Sequence, residues 1–430
     1  MKDNSTFRGA EPGWANACVG NNGSPSYVEY SRGFSQAANL LIQLVLNDSG
    51  MNLSADDLIY PVCFNMRHSV ELRLKGAIDA LRIISELKSV RIEFDDAGSH
   101  DIGSIWEYFK TISERLDDRF SRINAFIDPT ILDIASVDAT GQTFRYPISN
   151  TSQKHLTEVA SINFLVLFQK FAELEENLDK LHQITQFLCE EYQQGTFTGK
   201  LNRPQIYSVA KRLPPKSTWA GGALDPVKST IRLEYGLTSN DFGKVLEKIK
   251  SHHYLSSWID DPLPLLGGSE EMILEFFDYW TRRHPISHEG HKIEIVKFSM
   301  LDKQSLVDDM ISSQQIWEDF RIQIQASLTA EVVAGLRSLF YFAREKIFVE
   351  RYKVIYEYEL RESVAASDLA DELKHVFNKT NCLKNVLISL FALGRVALAE
   401  SLIKKHRPGY SFINDARSRA LFAYPDYAGY

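Results

Sequence analysis

"FNMRHSVELRLKGAIDAL", residues 64–81, carries an apolar repeat and a charged repeat on the same stretch of backbone. Val70, Leu74, Ala77, Leu81 and, just beyond, Ile84 recur at steps of three and four. That spacing lines side chains along one stripe of an α-helix with one buried face. Arg67, Glu71, Lys75 and Asp79 fall four apart beside the stripe, with His68 next to the first of them. Opposite charges four apart attract along a helix, contributing about 0.2–0.5 kcal/mol per pair. Taken alone, the ladder reads as the solvated face of a core helix. Pro61, ahead of it, suits a helix's first turn.

The same period extends outward. "YSRGFSQAANLLIQLVLN" before it and "IWEYFKTISERLDDRFSRINAFI" after it are helical in pattern. The clearest element follows Pro147, because no Gly or Pro occurs between that residue and Gly195. There Leu167, Phe171, Leu174, Leu178, Leu181, Leu188 and Tyr192 keep the three-and-four step, with Thr185 filling the one polar slot, which predicts a long helix packed in a bundle. From Gly195 the composition changes. Gly199, Pro204, Pro214, Pro215, Gly221 and Gly222 predict an irregular connection. Helical patterns then resume, with "HKIEIVKFSM" and "EKIFVERYKVIYEYEL" left ambiguous as β-prone pieces. The expected chain is mainly α: an arm over 1–26, a helical bundle over 27–194, an irregular basic connection over 195–230 and a mostly helical domain over 231–430.

A chain of 430 residues exceeds what one core usually organises, which fits two domains. A formal charge of −8 argues against coating nucleic acid through bulk charge, while leaving room for a local basic groove. The four cysteines, Cys18, Cys63, Cys189 and Cys382, lie far apart and suggest neither a zinc site nor an oxidising compartment. The opening residues lack the apolar run of a signal peptide, and "NVLISLFALGRVALA" falls short of the ~18 apolar residues of a membrane helix. A cytoplasmic protein with no membrane partner is expected. No phosphate-binding Gly-x-x-x-x-Gly-Lys loop, nucleophile elbow or dinucleotide fingerprint occurs, so no cofactor is expected.

"RHSVELRLKGAI" is followed by "SHDIGSIWEYF", and then by "FRYPISN" ahead of the long helix. This order resembles the HEPN superfamily of small helical bundles, over roughly residues 27–192. The resemblance implies a helix of the "EhxLKAhh" form, an "HDhxxLhxxh" turn carrying His100 and an arginine near the last long helix, here Arg145 (h is an apolar residue). It also implies a homodimer, RNA as the partner, and a setting in bacterial toxins or anti-phage defence, where a protein partner from the same operon is expected. Ribonucleases of the family pair such an arginine with a histidine four to six residues on, and they need no metal. Arginine stabilises charge on a phosphate oxygen while histidine handles protons as the ribose 2′-hydroxyl attacks. Here the residue five positions after Arg145 is Asn150, which orients groups by hydrogen bonding but exchanges no proton near neutral pH. On a helix His155 would lie about three turns beyond Arg145.

"WTRRHPISHEGH" supplies another pair at the family's spacing, Arg283 and His288, and these become the candidate catalytic residues. His284, His288 and His291 also offer imidazoles to zinc, but Pro285 and Gly290 interrupt a regular presentation, and no metal is expected. Arg145, Asn150, Lys211 and Arg212 are candidate RNA-binding residues, the last two within "KLNRPQIYSVAKRLPPK", which has no acidic residue. Arg67, His68 and His100 complete the set. The leading expectation is an RNA-binding or RNA-cleaving protein. The rival is a non-catalytic bundle that dimerises or binds a partner.

Overall fold

The computed structural model describes residues 4–20, 22–47, 54–95, 98–149, 152–285 and 303–430, with the backbone alone over 303–309. The described residues are mainly helical and form no strand, as the periodicity predicts. They divide into two units, Met1–Gln193 and Gln194–Tyr430. No described helix is long and apolar enough to cross a membrane.

The first unit holds α1 (Tyr27–Leu46), α2 (Ala55–Leu87), α3 (Ile102–Leu116), α4 (Phe120–Asp138) and α5 (Phe164–Gln193). Helix α2 packs against α1, α3 and α5, and α4 packs against α3 and α5. Its stripe residues Val70, Leu74, Leu81 and Ile84 are fully buried, joined by Ile78. Ser54 caps α2 by accepting from the Asp57 amide at 3.2 Å, so Pro61 lies inside the helix rather than in its first turn. The helix therefore runs through a residue that cannot donate its backbone bond. At the entry to α3, Asp101 accepts from the Ser104 amide at 2.7 Å and caps the helix.

Two boundaries differ from expectation. The periodic segment over 105–127 is cut at Asp117–Arg119, where the Asp117 carboxylate accepts from the Arg119 amide at 3.0 Å and starts a new helix. Arg119 also binds Glu191 of α5 at 2.6 Å, and Tyr192 donates to Asp117 at 2.7 Å, so the corner is pinned to α5. Helix α5 begins at Phe164, not soon after Pro147. Between them the chain doubles back through an antiparallel bridge from Ile148 to Lys154.

The second unit holds α6 (Arg203–Arg212), α7 (Leu224–Tyr235), α8 (Ser239–Lys250), α9 (His253–Trp258), α10 (Glu270–Arg283) and α11 (Lys303–Ile324). It continues with α12 (Ala330–Phe342), α13 (Arg351–Ala365), α14 (Leu369–Phe377), α15 (Cys382–Ala392), α16 (Val396–His406) and α17 (Ile413–Arg417). The stretch 195–230 is thus not an irregular connection, since it contains α6 and the start of α7. Pro204 opens α6 at a position where no N–H is needed, and Asn202 and Gln205 cap it reciprocally. The β-prone "EKIFVERYKVIYEYEL" leads into and largely forms α13. "HKIEIVKFSM" lies outside the described residues.

A buried arginine organises part of this unit. Arg203 is 1 % exposed and binds Glu350 through Nε at 2.9 Å and Nη2 at 3.0 Å. It also donates to the hydroxyls of Tyr207, Tyr424 and Tyr430 at 2.7–2.8 Å. A planar five-donor group suits this surround, because each N–H finds an acceptor. Elsewhere in the unit, Gly267 has φ +74°, and a Cβ there would fall 2.0 Å from the Glu331 carbonyl oxygen of α12. Only glycine allows that approach.

Candidate functional site

The charge ladder of α2 is the first correction. Arg67, Glu71 and Lys75 are 3 %, 4 % and 4 % exposed, so this is no solvated face. Only Asp79 stays at the surface, paired with Arg82. Glu71 is bound by Arg67, by Lys75 at 3.1 Å and by Nδ1 of His100 at 3.1 Å. Arg67 reaches onward to the backbone. Its Nε donates to the Asp138 carbonyl at 3.1 Å, and Nη2 donates to the carbonyls of Ala139, at 2.7 Å, and His100. Burial alone would raise the Glu71 carboxyl. The neighbouring His68 and His100 rings and the Arg67 guanidinium overcome burial and hold it well below the usual carboxylate range. His68 Nδ1 stands 3.8 Å from the carboxylate. Its ring is held edge-on to Phe34 and stacked on Phe64.

Two of the three stretches that carry the family resemblance, those holding Arg67 and His100, therefore meet at one carboxylate. The turn after α4 is shaped to fit. Gly141 has φ +74°, and a Cβ there would lie 3.1 Å from Nη1 of Arg67. The Asp138 carboxylate accepts from the Thr143 amide at 3.0 Å. This turn delivers "FRYP" to the start of α2.

There the chain encloses a cleft of about 710 Å³, lined by Asp56 and Tyr60 of α2, by Arg145 and Tyr146, and by Lys154 and His155. Such a volume lies within the ~300–1,000 Å³ of sites that enclose small ligands. The doubling back of the chain brings His155 in, with its amide donating to the Pro147 carbonyl at 3.3 Å. His155 is therefore not three helical turns from Arg145; both line one cleft, and the described residues between them form no helix. Arg145 is exposed, and its guanidinium carbon lies 5.5 Å from the Phe64 ring centre and 5.3 Å from that of Tyr146. Neither Arg145 nor Lys154 has a carboxylate partner among the described residues. Asp56 is the one carboxylate among the described lining residues. His155 Nε2 is sealed from solvent and has no hydrogen-bond partner among the described residues.

The other expected residues fall elsewhere. Arg283 ends α10, with its Nε buried and unpartnered among the described residues. His288, His291 and Asn150 lie outside the described residues. His284 stacks near Trp280 and its Nε2 bonds to the Phe377 carbonyl at 3.0 Å, so that imidazole already has a structural partner. Lys211 and Arg212 belong to the second unit and do not line the cleft; Arg212 pairs with Glu234 at 2.7 Å, and Lys211 lies 5.7 Å from the Trp258 ring centre. Tyr60, Tyr146 and Lys154 escape the sequence reading. The available signal was Tyr60 and Phe64 spaced four apart, ahead of the ladder. No protein-family model, no curated protein and no solved structure matches the chain.

Proposed function

We propose that the first unit is a HEPN-like module that binds RNA in the Arg145 cleft, acting in a bacterial toxin or anti-phage defence setting. The observation that carries this reading is a pair of cations, Arg145 and Lys154, without carboxylate partners among the described residues, beside exposed tyrosines in one concavity. Phosphates supply the missing counter-charge, and aromatic faces suit bases. The meeting of the Arg67 and His100 stretches at Glu71 supports the family part of the proposal. The setting comes from the resemblance alone.

Cleavage asks for more, namely a group that exchanges protons near neutral pH. His155 is the histidine of this cleft, yet its Nε2 is sealed from solvent. Binding without cleavage is therefore the form of the proposal that the geometry favours.

The test is fluorescence anisotropy of the full chain with labelled RNA over a salt series. Affinity should fall steeply with salt, and Arg145→Ala and Lys154→Ala should each weaken binding and reduce the salt slope by about 1. A parallel gel assay with chelator present should show intact RNA. Absence of binding at low salt overturns the RNA reading, and a chelator-resistant cut lost in His155→Ala overturns the preference for binding alone.

A further inference from the structure

The cleft wall carries more aromatic surface than phosphate binding requires. Tyr60 and Tyr146 are 47 % and 48 % exposed, and both line the cleft. Tyr60 sits one helical turn before Phe64 on α2, so the two rings share a face. Phe64 and Tyr146 are each within 5.5 Å of the Arg145 guanidinium. Tyr60 has no ring partner among the described residues. Planar groups that stack on bases thus line one concavity, with two cations among them.

Duplex RNA does not fit this arrangement. Its bases are stacked on one another, its major groove is too deep and narrow for side chains, and proteins that read its shape span about 16 base pairs. A cleft of about 710 Å³ has no such reach. An unpaired stretch presents free base faces and a flexible phosphate backbone to a small site.

Resting on the RNA reading of the cleft, we infer that its substrate class is single-stranded RNA. Bases stack on Tyr60 and Tyr146, and Arg145 and Lys154 hold the flanking phosphates. Stacking depends on the ring rather than the hydroxyl, which separates this role from simple hydrogen bonding.

The experiment compares a labelled short oligoadenylate with the same strand paired to oligouridylate, using the full chain and anisotropy at one fixed salt concentration. The single strand should bind about ten-fold more tightly or better. Tyr60→Ala and Tyr146→Ala should each weaken it about ten-fold, while Tyr60→Phe and Tyr146→Phe stay within about two-fold. Circular dichroism establishes that the variants are folded. Equal binding of strand and duplex, or folded alanine variants that bind like the wild type, overturns this inference while leaving RNA binding itself intact. Failure to bind either form overturns both.

Discussion

Glu71 Oε1 and His100 Nδ1 stand 3.1 Å apart, although 29 residues separate them in the chain. The contact ties the middle of α2 to the loop ahead of α3. Arg67 grips the same loop through the His100 carbonyl, so the carboxylate and the guanidinium hold one turn from two sides. Arg67 and Lys75 are buried beside this acid, which supplies counter-charge to both.

Glu71→Gln should therefore destabilise the first unit by about 3 kcal/mol, because it removes that counter-charge from beside buried cations. A solvated ladder would lose at most ~0.5 kcal/mol per pair. Urea unfolding followed by circular dichroism separates the two values.

The same residue gives an acid dependence. Its folded carboxyl titrates below its unfolded value, near 4.3, so its contribution is present in full above that value. The contribution is lost as pH falls toward the depressed folded value. The stability gap between wild type and Glu71→Gln should narrow as pH drops from about 6 to about 3. A gap that stays constant would contradict the environment described for Glu71.

In the second unit His253 is held neutral. Burial lowers it to about 4, with help from the charge on His252 and against a hydrogen bond to the Pro264 carbonyl. The folded state thus binds its proton less readily than the unfolded state, whose histidine titrates near 6.5. Stability should be full above that value and fall by about 3 kcal/mol on acidification toward pH 4. His253→Gln should remove that part of the slope in chemical unfolding run across the same pH range.

Arg203 and Glu350 make a two-pronged buried pair, and three tyrosine hydroxyls complete it. Lysine brings charge without the planar fork, so Arg203→Lys should cost about 3 kcal/mol. Tyr430→Phe removes one acceptor and should cost about 1 kcal/mol. Thermal or chemical unfolding checks both, and equal effects would mean that the fork has no special role.

At Gly141, alanine would meet both a positive φ and the Arg67 guanidinium at 3.1 Å. Gly141→Ala should destabilise the first unit by about 2 kcal/mol. A neutral outcome in urea unfolding would show that the turn can relax away from Arg67.

Helical class was legible from residues 64–84 because a three-and-four apolar step is a local property, set by the geometry of one helix. Caps are local as well: Asp101 before α3 could be read from its own neighbourhood, and Asn202 with Pro204 and Gln205 carried the same kind of signal for α6, hidden by a count of breakers. Burial of the ladder was not legible. Arg67, Glu71 and Lys75 look the same in sequence whether they face water or the carbonyls of Asp138 and Ala139, some 70 residues on. His155 beside Arg145 depends on a chain reversal between Ile148 and Lys154 that no periodic pattern marks. Arg203 lies in the stretch expected to be a basic connection, and its burial depends on Tyr424 and Tyr430, more than 200 residues away. Propensity and capping act over a few residues, and they chose the elements. Which charges lose water, and which side chains share a cleft, follows from contacts between distant segments, and those energies appear only once the chain has packed.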